Sequence, residues 1–271
     1  MSRRLLTIFG ALALVFGYLF LGEDIQYMMI PAGIAGLLFI VTWSTQYKID
    51  GMWYERHPPE LDASMQKLFE KSSAFYRNLT DEKKKKFGER VSLYVIVKEF
   101  IGQGQDKIAE DLKYMVAFYV VLLTWNRDDY LIPNYDRIVF YLHPFLTPHH
   151  NEDVHTYEVE HTDGTIILSI KELVMGFLSP DKYYQIGLHA AVEAYLACYS
   201  VEDFPELNDD IWEKLEAISG FSKEKIESHI GLKQDDPRPM VVHHYISYAD
   251  KFVEKSPDLY LALREYFGHG Q

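Results

Sequence analysis

The plainest chemical potential in this chain lies in His189 and Glu193, within the segment His189-Ala190-Ala191-Val192-Glu193. Their surroundings, Asp181 to Tyr199, read as a helix. Residues four apart on a helix point the same way, about 6 Å apart. A histidine and a second ligand at that spacing let one helix grip a metal ion from one side. The same spacing also suits an ordinary hydrogen-bonded pair, and spacing alone does not separate the two. A second group is Glu158, Glu160 and His161. It lies in an alternating run, His155 to Glu160, that returns as Thr165 to Ile170. Thr162-Asp163-Gly164 between two strand-like runs signals a hairpin. Glu158, Glu160, Thr165 and Ile167 lie on this hairpin. The pairs His149-His150 and His243-His244 read as surface or structural histidines. The one cysteine, Cys198, reads as a small buried helix residue; it excludes an intramolecular disulfide and a Cys-rich zinc site.

Several elements must hold these groups in place. Leu61, Met65, Leu68, Phe69, Phe75 and Tyr76 fall at helical spacing and predict a helix over 61–77. Thr80 is an N-cap for the next helix, with Asp81 and Glu82 in its first turn. A third helix is expected over 106–125 and a strand over 138–142. Further helices are expected at 208–218, ending at Gly220, at 222–230, capped by Ser222 and ending at Gly231, and at 239–253. The last starts with Ser256 as N-cap and Pro257 at its first position and runs to Phe267. Helices, then a small sheet, then helices make the class α+β.

Two uncharged apolar runs open the chain, Leu5 to Leu21 and Tyr27 to Trp43, each near the lower length limit for crossing a bilayer, about 17 residues. A cleaved signal peptide would explain the first run, but a second follows almost at once. The pattern predicts a transmembrane helical hairpin over 1–45 that anchors the protein through residues 5–43, turning at 22–26, with Gly10, Gly17, Gly33 and Gly36 allowing close helix approach. Residues 46–60 read as a juxtamembrane linker and 61–271 as one folded domain. Arg3 and Arg4 precede the hairpin, Lys48 and Arg56 follow it, and the turn is acidic, so both termini and the large domain are expected in the cytoplasm. The net charge of -13 argues against nucleic acid as partner.

Several motifs share the order of a known family. Leu79-Thr80-Asp81-Glu82 followed by Phe87-Gly88-Glu89-Arg90-Val91, the Phe100-Ile101-Gly102 turn, the strand 138–142 ending in His143-Pro144, Gly164 to Ser169 followed by Leu173 and Gly176, and the terminal Glu265-Tyr266-Phe267 together resemble the MtfA-type zinc peptidases, bacterial proteins named for titrating the glucose repressor Mlc. The resemblance spans roughly residues 60 to 268. It implies a gluzincin-like fold, in which two histidines of His-Glu-x-x-His and a later glutamate hold zinc and the motif glutamate activates the bound water.

Carried onto this chain, the resemblance makes His189 the first ligand and places Glu193 at the second. It also implies that the 155–170 hairpin flanks the cleft, where an edge strand takes an extended peptide by strand addition, so Glu158, Glu160, Thr165 and Ile167 are the expected peptide-binding residues. Counting back from Glu265 puts Asp258 at the third; Asp258 also reads as a first-turn acid favoured by the helix dipole. Ala190 stands where the general base would be, and a methyl group transfers no proton. Losing a general base costs roughly 10²–10⁴ in rate. His189, Glu193 and Asp258 would hold one divalent ion, zinc or a harder ion, as one imidazole and two carboxylates, or hold none. Tyr245 and Tyr248 are the nearest tyrosines to the family's catalytic one, at a poorly matching spacing. Three readings follow. The first is a peptidase-fold regulator or scaffold at the bacterial inner membrane that binds a peptide or protein segment and has no confident catalytic residue. The second is a divergent metal-dependent hydrolase. The third is a structural membrane protein.

Overall fold

The computed structural model describes residues 2–22, 29–105, 107–199 and 203–268. Residues 23–26 of the expected hairpin turn, and Asp106 at the start of the expected third helix, lie outside them. The chain divides into two compact units, Met1–Pro59 and Glu60–Gln271.

In the first unit α1 (Ser2–Gly22) packs against α2 (Met29–Arg56). Each contains a stretch long and apolar enough to cross a membrane, Ser2–Leu19 and Met29–Gln46. The helices approach closely at Gly10, where a Cβ would lie 3.4 Å from the Phe39 ring. Gly17, Gly33 and Gly36 face open space, so three of the four glycines expected at the contact do not serve it. At one end of the pair, Ser2 N and Oγ donate to the Asp50 carboxylate at 2.7 and 2.5 Å. Residues 46–56, expected as linker, continue α2. Their polar side chains end the apolar run, but the helix continues through Gly51 to Arg56, just before Pro58-Pro59.

The second unit opens with α3 (Ala63–Ser72) and α4 (Ala74–Arg77) where one helix is expected. Ser73 divides them: its backbone is extended and its hydroxyl accepts from Tyr76 N at 3.3 Å, capping the second helix. Thr80 caps α5 (Asp81–Val97) as expected, accepting from Lys83 N at 3.3 Å. The central helix α6 (Glu110–Leu123) is buried on nearly every side from Met115 to Leu123.

Four strands form a mixed sheet: β1 (Glu99–Gly102), β2 (Arg137–Tyr141), β3 (Tyr157–Glu160) and β4 (Thr165–Ser169), in the order β1-β2-β4-β3. The first three neighbours run parallel, and β3 is an antiparallel edge. The residues expected as a Phe-x-Gly turn are strand β1, with Phe100 opposite Ile138. The hairpin between β3 and β4 forms as expected. Gly164 takes φ +65° there, and a Cβ would collide with Asn134 O at 1.7 Å.

Helices then return: α7 (Ile170–Leu178), α8 (Ile186–Cys198), α9 (Ile211–Ser219), α10 (Lys223–Ile230), α11 (Arg238–Ser247), α12 (Ala249–Lys255) and α13 (Pro257–Tyr266). Gly220 and Gly231 end α9 and α10 in the left-handed conformation, as the sequence predicts. The helix expected over 239–253 is two, divided at Tyr248. Ser256 precedes α13 but its hydroxyl caps nothing and is buried without a partner. Helix α8 packs against α6, α11 and β3. At Gly187 a Cβ would lie 2.5 Å from Leu173 Cδ1 and 2.9 Å from the Tyr119 ring, so only glycine lets the first turn of α8 settle this deeply. That depth fixes the setting of His189.

Candidate functional site

His189 and Ala190 are both 0 % exposed. Tyr184, on the segment entering α8, places its hydroxyl 2.6 Å from His189 Nδ1. Nε2 of His189 is buried and makes no hydrogen bond. The Tyr157 ring from β3 lies 4.9 Å from the imidazole. Burial pushes the His189 pKa down to about 4, against the weaker pull of the Glu193 carboxylate, the Gln234 carboxamide and Asp236. The imidazole is therefore neutral at physiological pH.

Behind it lies a second pair of core histidines. His243 stacks on Tyr184 at 4.1 Å, and neither of its nitrogens has a partner. His244 holds Met240 O through Nδ1 at 2.7 Å, which fixes the proton on that nitrogen, since a carbonyl only accepts. Burial pushes both pKa values down, that of His244 to about 4. The structural reading of His243 and His244 fits this setting.

In front of it opens a cavity of about 810 Å³ whose lining includes Tyr157, Glu158, Val159, His161, Glu193 and Gln234. Glu193, one turn further along α8, sits near both His189 and Tyr157 and acts on each through its charge. Its Oε1 lies 3.6 Å from Nε2 of His161, on the β3–β4 turn. Tyr135 hydrogen-bonds the other nitrogen of His161. The nearby Glu193 carboxylate raises the His161 pKa, against partial burial. Two further pairs follow the same pattern along β3. His149 Nε2 is 3.1 Å from Glu160 Oε2. His155 is fully buried; its Nδ1 holds Asp153 O at 2.7 Å and its Nε2 meets Glu158 Oε2 at 3.1 Å.

The four residues expected to bind a peptide divide. Glu158 and Glu160 are on the edge strand β3, whereas Thr165 and Ile167 are on β4, which is paired on both sides and has no free backbone edge. Ser169 N donates to Thr156 O, so pairs 156–169, 158–167 and 160–165 are the hydrogen-bonded ones. The alternate residues Tyr157 and Val159 turn their N–H and C=O groups away from β4. Those two also line the cavity.

The donor set does not fit a three-ligand zinc site. His189 presents a bare, neutral nitrogen, which is the correct state for a ligand. Glu193, however, is engaged by His161. Asp258 is exposed in the first turn of α13 and lines a separate depression with Pro205, Asn208 and Lys255. Asp236 faces the cavity but is held by Arg238, whose backbone N–H and Nε reach its carboxylate at 2.9 Å and whose Nη2 reaches it at 2.7 Å. Among the described residues no three His, Cys, Asp or Glu side chains converge on a point that could hold an ion. Tyr184, Tyr157, Tyr135 and Gln234 went unnoticed in the sequence. Only Tyr184 carries a signal there, standing five residues before His189, and nothing in a helical pattern makes that spacing stand out.

Comparison with known proteins gives a family match. The model of a family described as glucose-regulated metallo-peptidase M90 matches residues 45–192, just over half of the chain. The matched segment takes in β1 to β4, His189 and Ala190, and stops one residue short of Glu193. No curated protein matches the chain.

Proposed function

The chain belongs to the glucose-regulated metallo-peptidase M90 family, and on that premise we propose that it is a membrane-anchored member that binds an extended peptide or protein segment instead of cleaving it. The observation that carries this reading is the edge of β3. Tyr157 and Val159, both nearly buried, turn their backbone N–H and C=O groups away from β4 and line a cavity of about 810 Å³. An added strand would gain backbone hydrogen bonds there, with the side chains of Glu193, His161 and Leu196 around it.

Three features of the gluzincin-type site favour recognition over hydrolysis. Ala190 supplies no base, Glu193 is committed to His161, and Asp258 lies on α13 among other neighbours. Helices α1 and α2 supply the anchor, and basic residues flanking them favour a cytoplasmic domain at the inner face of a bacterial membrane. In that setting the protein acts as a regulator or scaffold. The bare Nε2 of His189 favours the second reading, a divergent metal-dependent hydrolase, in one respect only: it leaves a nitrogen free for an ion.

Amide exchange tests the binding reading. Full-length protein in detergent is mixed with a peptide selected from a randomised pool by retention on it. Slowed exchange at Tyr157 and Val159 is expected. Peptide retention with no change at those two amides contradicts strand addition.

A further inference from the structure

Charge is unevenly shared along this chain. Residues 60–90 hold eight Lys and Arg against six Asp and Glu, whereas residues 91–271 hold fifteen against thirty. The basic share is concentrated in the first turns of α5, at Lys83-Lys84-Lys85-Lys86. Lys83, Lys85 and Lys86 are exposed, and among the described residues none of the three forms an ion pair. Lys84 is half-buried and reaches Glu70 Oε1 on α3 at 3.0 Å. Arg77 of α4 reaches the backbone oxygen of the same Glu70 at 2.8 Å and so adds to this face. Asp81 and Glu82 share the first turn of α5, where the helix N-terminus answers their charge.

The chain enters the second unit at this same place. Glu60 and Leu61 line one depression with Lys84, Lys85 and Gly88. Leu61 sits so close to α5 that a Cβ on Gly88 would lie 2.9 Å from Leu61 Cβ. Helix α2 ends at Arg56, and only His57-Pro58-Pro59 connect it to Glu60. Fully extended, the step from Arg56 to Glu60 covers at most about 14 Å. Trp53, exposed near the end of α2, is a side chain suited to the headgroup layer. The tether therefore keeps the lysines close to any bilayer that α1 and α2 cross. Helix α5 packs on α6, α6 on α8 and α8 on β3, so two helices stand between the lysines and the free edge of β3.

We propose that the Lys83–Lys86 end of α5 binds the anionic lipid headgroups of the membrane that holds the anchor, and so turns the β3 edge away from lipid, toward soluble segments. This rests on the membrane-anchored reading. An anionic surface attracts the basic face and repels the acidic remainder of the domain, so one charge asymmetry supplies both attraction and orientation. The tether raises the effective concentration of headgroups at these lysines, an advantage that a free acidic protein lacks.

Lysine labelling in bilayers tests it. Full-length protein is placed in nanodiscs of phosphatidylcholine, alone or with phosphatidylglycerol as one lipid in three. It is acetylated briefly and the rate at each lysine is read by mass spectrometry. Lys225 on α10 and Lys251 on α12, both exposed, serve as references. Labelling of Lys83, Lys85 and Lys86 should be at least about threefold slower in the anionic discs, with the two references unchanged. The protection should fade at 1 M salt, where the screening length falls to about 3 Å. Equal rates at Lys83, Lys85 and Lys86 in the two discs overturn the inference. Equal slowing at all five lysines, or slowing that salt leaves untouched, does the same. Carbonate extraction of the protein from vesicles is read alongside. Release by carbonate removes the anchor reading and this inference with it, whereas retention with unprotected lysines removes this inference alone.

Discussion

Glu193 Oε1 lies 3.6 Å from Nε2 of His161, across the mouth of the cavity. The Glu193 carboxylate thus lies toward the β3–β4 turn, while His189, one helical turn earlier, stays in the core. The pair links α8 to the hairpin whose outer strand is the free edge. It also raises the pKa of His161, whose ring the Glu193 carboxylate faces. Replacing Glu193 by Gln should lower that pKa toward the ordinary imidazole range. Titration of the His161 ring signals by NMR checks the direction, and an unchanged titration contradicts the pairing.

The backbone edge makes a sharper prediction. Val159 N–H points away from β4, so Val159→Pro removes an outward donor and leaves the ladder intact. Peptide binding should fall at least tenfold with the melting temperature little changed, an outcome in keeping with about 1.4 kcal/mol per tenfold. Glu158→Pro removes an inward donor and should unfold the hairpin instead. Binding and thermal melts of the two variants separate the cases.

Restoring the motif glutamate should not restore chemistry. Ala190 is 0 % exposed, so Ala190→Glu buries a carboxylate with no cation assigned to it. A loss of roughly 3 kcal/mol or more is expected, read as a lowered melting temperature, with peptide hydrolysis still at background.

Acid should weaken the domain through its core histidines. Burial holds His189 and His244 at about 4, below the ordinary value of 6.5. Between those values the unfolded chain binds more protons than the folded one, so stability is complete above about 6.5 and falls as pH drops toward 4. Each imidazole contributes a loss on the order of 3 kcal/mol across that window. Thermal melts from pH 8 to pH 4 should show the fall, and His244→Gln should make it shallower. A flat melting temperature contradicts the account.

Local signals in the sequence carried much of the fold. Thr80 and Ser222 as caps, Gly220 and Gly231 as stops, and Asp163-Gly164 as a hairpin turn act within a few residues, and each forms as expected. The misreadings came where a neighbour decides. Phe100 to Gly102 is a strand because β2 lies beside it, and Ser73 breaks a helix whose apolar spacing runs on unbroken. The site was legible only at His189. Glu193 has a histidine thirty-two positions away in sequence within 3.6 Å, and Gln234 bonds the Tyr157 hydroxyl from another loop. No periodicity within α8 records either event.

The most direct test is a time course on a retained peptide. Full-length protein is incubated with a peptide it holds, with zinc added, and the peptide is followed by mass spectrometry. The account predicts that the peptide stays bound and intact over many hours. Shorter products that appear only with zinc, and vanish in His189→Ala, would contradict it.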